Sequence, residues 1–265
     1  MVAACIFVPV SIVVAALNPL PTSLNTEPLL MAFGSGALRA TAIIIFLYVL
    51  RTEEVSRSVP VTYIQPVIVA LLAVILLGET LAFSQWLAVF IVATGAVLVS
   101  LGRDDDGSFK WWGKPLLLLL LFSLLMACAD VMSKYALDYI NFWQMYWINS
   151  LVMLLAILVI AFRREALKQL REVFKQRRLT ALITLNEMLA LSAILLFFWA
   201  IEQGQVSLVA TISASRPLFV LLLVYLLGRL KPHLLLEGRL LRGKLALRTL
   251  AITMIVAGVA IIYLY

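Results

Sequence analysis

VSLVATISASRPLFV, residues 206–220, is an apolar stretch that carries Arg216 beside Pro217 well inside it. A second stretch, VSRSVPVTYIQPVIV at 55–69, falls on it without a gap, so that Val55, Ser56 and Pro66 match Val206, Ser207 and Pro217. Under nearly the same shift LLGE (76–79) comes near LLGR (226–229), and after an insertion in the second half IVATGAVLV (91–99) comes near IVAGVAII (255–262). Self-similarity over such a distance marks a chain built from two related halves. The second half is longer, and its extra length lies between Gly228 and Gly258, in a basic loop.

Around these blocks the composition is that of an integral membrane protein. Of 265 residues 64% are hydrophobic and 13% charged, with a mean hydropathy of +1.07, against roughly 45–50% apolar in soluble domains. A helix needs ~20 apolar residues to cross the hydrocarbon layer, and nine such segments can be placed: 1–18, 29–50, 58–78, 84–102, 115–137, 142–162, 180–201, 206–228 and 246–265. Leucine runs such as LLLLLLFSLLMA (116–127) lack the period-two alternation of a membrane β-barrel. The expectation is an all-α bundle of about nine transmembrane helices, multi-pass in a cell (inner or plasma) membrane.

The formal charge of +7 is not a nucleic-acid signature, because the basic residues sit in short loops. Loops 51–57, 103–114, 163–179 and 229–248 hold nearly all of them, seven in 163–179 alone, and all four fall on one side of the membrane. The positive-inside rule puts that side in the cytoplasm, with Met1 inside and Tyr265 outside. Loops 163–179 and 229–248 also carry spaced leucines, which suits interfacial helices and solvated loops equally. Met1 opens directly on an apolar run with no basic region before it, unlike a secretory signal. Cys5 and Cys128 lie in apolar segments and read as core residues.

Pro66, Gly78, Glu79, Gln85, Ala88 and Gly95 in the first half, and Pro217, Gly228, Ala251 and Gly258 in the second, resemble the EamA-type repeat of the drug/metabolite transporter superfamily. Arg229 stands where that pattern has a glutamate. The resemblance implies two inverted five-helix repeats, of which this chain offers nine helices, the first being absent. The halves are 1–102 (four helices) and 115–265 (five helices), joined by 103–114. A partner helix or a second copy would then replace the missing span. The resemblance also places the carboxy terminus inside, opposite to the loop charges.

Intramembrane charge is costly enough to face protein or water rather than lipid. That selects Arg39, Glu187 and Arg216 inside spans, and Asp130 and Lys134 in the last turns of theirs. Pro66 and Pro217 each break a helix and leave a polar residue, Gln65 or Arg216, at the break. Broken helices at matching places in two halves point to a carrier's binding site, although a kink that only shapes packing gives the same pattern. Arg39 lies in AFGSGALRATA (32–42), where Ala32, Gly36 and Ala40 favour close helix packing. The repeat shift sets Gly36 on Glu187, so Arg39 and Glu187 fall one turn apart on equivalent helices, as a static pair or as part of a solute site. Asp130 and Lys134, spaced i, i+4, suit a helix-end ion pair.

Nothing points to an enzyme: His233, the one histidine, is in a loop, and no phosphate-binding glycine loop is present. No metal, cofactor or catalytic residue is expected. Arg39, Arg216 and Glu187 together carry one net positive charge, which matches an anionic or zwitterionic solute. The expected function is secondary transport of a small, anionic metabolite by alternating access, with Arg39, Gln65, Glu187 and Arg216 as the binding centre and Pro66 and Pro217 as hinges. Two rivals remain: a carrier for a lipid-linked headgroup held by the basic loops, and a non-transporting subunit docked on a partner.

Overall fold

The structure is a computed structural model that describes residues 2–20, 26–53, 55–101, 113–161, 177–230 and 245–264, and its regular elements there are all helical. In chain order these are α1 (Val2–Leu17), α2 (Thr26–Val49), α3 (Val55–Thr62), α4 (Gln65–Leu72), α5 (Phe83–Leu101), α6 (Lys114–Leu137), α7 (Phe142–Ala161), α8 (Arg177–Gln203), α9 (Val206–Ser213), α10 (Arg216–Leu230) and α11 (Leu245–Leu264). Stretches Thr26–Val49, Lys114–Leu137 and Thr180–Gln203 are long and apolar enough to cross a membrane. Gln65–Leu77, Phe83–Leu98, Val206–Val220 and Leu250–Ile262 are apolar but shorter. Most of loops 103–114, 163–179 and 229–248, with His233 and the interfacial-helix readings, lies outside the described residues.

Segments 58–78 and 206–228, each expected as one span, are each two helices. The cause is local. A proline has no N–H, so the turn before it lacks an i→i−4 bond and tightens. Ile64 N–H accordingly bonds the Val61 carbonyl at 3.3 Å, and Ser215 N–H the Ile212 carbonyl at 3.0 Å. The shift that takes Val55 to Val206 also takes the start of α4, Gln65, to the start of α10, Arg216. After α4 a π-helical turn, Ala73–Leu77, ends at Gly78, whose φ of 66° is left-handed and suits glycine. There the amides of Gly78 and Glu79 both bond the Ala73 carbonyl.

The chain forms two compact units, and each takes residues from both halves of the sequence. One comprises residues 1–41 and 128–204, the other 42–127 and 205–265, so α2 and α6 run from one into the other. In the first unit α1 packs on α7 and α8. Its end is tied to α7 by two side chains: Gln144 Nε2 donates to the Pro19 carbonyl at 2.6 Å and Trp147 Nε1 to that of Asn18 at 3.3 Å. Ala32, Gly36 and Ala40 are all buried. A Cβ at Gly36 would stand 3.0 Å from Val152 Cβ, which is how closely α2 lies on α7.

In the second unit α5 packs on α11. A Cβ on Gly95 would meet the Ala251 carbonyl at 3.1 Å, and one on Gly258 the Ala88 carbonyl at 3.2 Å. The small residues matched between the halves therefore face one another in two reciprocal pairs, and the order of those pairs makes α5 and α11 antiparallel. Gly258→Leu is expected to part the two helices at a cost of ~1–3 kcal/mol, seen as a lower unfolding temperature in detergent. Gly34→Ala is expected to do less, because its new methyl meets only Met132 Cε and Sδ, the mobile end of a flexible side chain.

Candidate functional site

The polar centre of the first unit is Arg39. Its Nη2 donates to Asp130 Oδ1 at 3.1 Å and lies 3.4 Å from Ser133 Oγ. The guanidinium carbon sits 5.9 Å and 5.4 Å from the ring centres of Phe197 and Phe198, within cation–π reach of both. The Asp130 side chain is 1% exposed and that of Arg39 16%. Ser133 Oγ is itself fixed, donating to the Ala129 carbonyl at 2.7 Å. Thus α2 supplies the cation, α6 the anion and a hydroxyl, and α8 the aromatic wall. The set is not saturated: Arg39 Nε is buried with no hydrogen-bond partner, as are Asn149 Oδ1 and the Tyr146 hydroxyl on α7. Asn149 Nδ2 reaches Ser35 Oγ at 3.4 Å, one turn from Arg39 along α2.

This pairing differs from both pairings expected from spacing. Arg39 meets Asp130, and Glu187, partly buried on α8, makes no ion pair among the described residues. Lys134 is bonded to the Ile201 carbonyl at 3.1 Å and lies 3.6 Å from Asp138. The i, i+4 partner of Lys134 is thus Asp138, just past the end of α6, while Asp130 reaches across to α2. Gln65 and Arg216 belong to the second unit. Gln65 is half-buried, Arg216 is exposed at the start of α10, and Pro66 and Pro217 are buried. Cys128 is a partly buried free thiol, and the Cys5 side chain lies outside those described. Among the described residues no cluster of three His, Cys, Asp or Glu could hold a metal.

Two carboxylates to which the sequence alone assigns no role act on helix ends. Glu79 accepts the Val206 N–H at 2.7 Å, the Ser207 N–H at 3.4 Å and the Ser207 hydroxyl. Gln205, at the N-cap of α9, makes no side-chain cap of its own, so the cap comes from a distant part of the chain. Glu202 likewise accepts the Phe142 N–H at 3.2 Å, where Asn141 and Gln144 already form a reciprocal capping box. Gln85 caps α5 the same way, accepting the Ala82 N–H at 2.9 Å.

The EamA-like transporter family model matches residues 1–101 and 113–264. The chain belongs to the EamA-like transporter family. A crystal structure of another protein superposes on it with a TM-score of 0.68 over 99% of this chain and 88% of the other. Their sequences are 16% identical, so that likeness is one of fold. No curated protein matches the chain. Membership makes this EamA-like chain a membrane transporter by family, and sets the Arg39 cluster and the paired helix breaks in that setting.

Proposed function

We propose that the protein is a secondary transporter that moves a small anionic metabolite by alternating access, with Arg39 as the charge that receives the anion. The observation that carries this reading is Arg39 itself. It is always charged, lies midway along α2, and keeps a buried donor, Nε, without a partner. Within the first unit Arg39, Glu187 and Asp130 together carry one net negative charge, so selection of an anion rests on access to one guanidinium rather than on net charge.

Arg216 supports an aqueous route. An arginine exposed at a break within an apolar stretch is tolerable in a membrane only against water or polar protein. Gln65 and Arg216 would line that route in the second unit, with Pro66 and Pro217 as its hinges, while Glu187 is a second anion of the first unit. The antiparallel packing of α5 on α11 supports inverted repeats 1–102 and 115–265 and a nine-span, multi-pass arrangement in the cell membrane. The loop charges favour Met1 inside. No enzyme activity and no cofactor belong to this reading.

Uptake into proteoliposomes across a panel of small carboxylates and organic phosphates tests it. Flux of at least one solute, lost in Arg39→Gln, is expected; no flux across the panel would contradict the proposal. Pro217→Ala restores a backbone donor and lets α9 run into α10. It is expected to slow turnover several-fold while leaving the unfolding temperature equal or higher, in a paired transport and melting measurement.

One observation favours a second reading, a subunit docked on a partner. Only 6% of the apolar window in Thr180–Gln203 is buried, although it carries Glu187. Cross-linking from a cysteine at Leu189, 63% exposed, to a different polypeptide in native membranes would favour that reading.

A further inference from the structure

We propose that Asp130 is the resident anion of the Arg39 site, and that a solute anion replaces it only as Asp130 takes up a proton. Anion movement is then tied to proton movement in the same direction. This rests on the reading of Arg39 as the anion-receiving charge.

The geometry of the guanidinium carries the argument. A carboxylate binds an arginine best through two parallel donors, and the side edge of the group offers Nε and Nη2. Nη2 is held by Asp130 and Nε has no partner. An incoming carboxylate that uses this edge therefore meets Asp130 at Nη2. Two carboxylates on one guanidinium, away from water, repel, and the pair can stay together only if one is neutral. Arginine does not release its proton in proteins, so the carboxylate is the member that titrates. Asp130 is 1% exposed, so water reaches its charge poorly.

Among the described residues the other charged groups nearby do not offer the same service. On α6 itself Lys134 is engaged by the Ile201 carbonyl and Asp138. On α8 Glu202 is bonded at the start of α7, and Glu187 is a like charge. The exchange also conserves charge. Arg39 with ionised Asp130 is neutral, and so is Arg39 with one bound monoanion and protonated Asp130. Both forms can reorient without carrying an unbalanced charge through the membrane. The proton comes from water on the side where the anion enters and leaves with it on the other side; no other bond changes.

The test uses the purified protein in detergent and sodium benzoate as the probe. Thermal unfolding is followed as benzoate replaces sodium chloride at constant ionic strength. At neutral pH the wild type is expected to hold its unfolding temperature, while Asp130→Asn, with the resident charge removed, gains roughly 3 °C. At mildly acidic pH the wild type is expected to gain the same amount. Arg39→Gln combined with Asp130→Asn is expected to gain nothing at either pH. No gain in Asp130→Asn would overturn the anion-receiving reading of Arg39 and this inference with it. A gain in Asp130→Asn that the wild type never acquires in acid, or already has at neutral pH, would leave the anion site standing and overturn the proton link.

Discussion

Arg39→Gln is expected to abolish solute flux and to lower stability by about 3 kcal/mol, because it leaves Asp130 buried beside a neutral amide. Removing one partner of a buried ion pair costs ~3–5 kcal/mol, most of it from the charge left behind. The low end suits this pair, since Arg39 keeps some exposure and Ser133 stays in place. The two losses separate in the double variant. Arg39→Gln with Asp130→Asn puts two neutral amides within reach of each other and is expected to recover most of the unfolding temperature. It is not expected to recover flux, since no charge remains to take the anion. Melting in detergent beside uptake in proteoliposomes reads both quantities. Recovery of flux together with stability would make the pair structural only.

Glu79→Ala is the second large effect. The carboxylate accepts three donors at the start of α9 and stands where the helix dipole favours negative charge. Loss of an N-cap costs ~0.5–2 kcal/mol, and leaving partly buried amides unsatisfied adds to it. About 2 kcal/mol in all is expected, or roughly 4–8 °C in unfolding temperature. Glu79→Gln keeps one carbonyl acceptor and is expected to lose about half as much. Equal melting of wild type and Glu79→Ala would show that the cap carries no stability.

Much of this fold is written in the sequence because a bilayer enforces simple rules. Apolar length marks most helices to within a few residues, and proline chemistry marks the interruptions at Pro66 and Pro217. The repeat shift even aligns the starts of α4 and α10. What it could not reveal is rotation. Whether Asp130 faces Lys134 along its own helix or Arg39 across to α2 depends on how α6 turns about its axis, and Leu-rich helices with apolar residues on every side carry no amphipathic signal to fix that angle. Glu187 illustrates the same limit: it matches Gly36 by repeat, yet equivalent positions need not meet. Glu79 is visible as part of a motif, but its task depends on Val206 and Ser207, nearly half the chain length away in a helix whose own N-cap residue makes no cap. The clue available was the polar pair Glu79–Thr80 closing an apolar run, opposite an uncapped start at Gln205.

The most direct test of the central claim is whether the Arg39 site opens to both sides of the membrane. Phe197→Cys, in a protein with Cys5→Ser and Cys128→Ser, puts a single thiol where a ring lies 5.9 Å from the guanidinium and leaves the ion pair intact. A small cationic thiol reagent is then applied from each side of sealed vesicles of known orientation. Alternating access requires reaction from either side, since the site is then exposed to each in turn. Reaction from neither side would make Arg39 and Asp130 a packed structural pair, and reaction from one side alone would contradict alternating access.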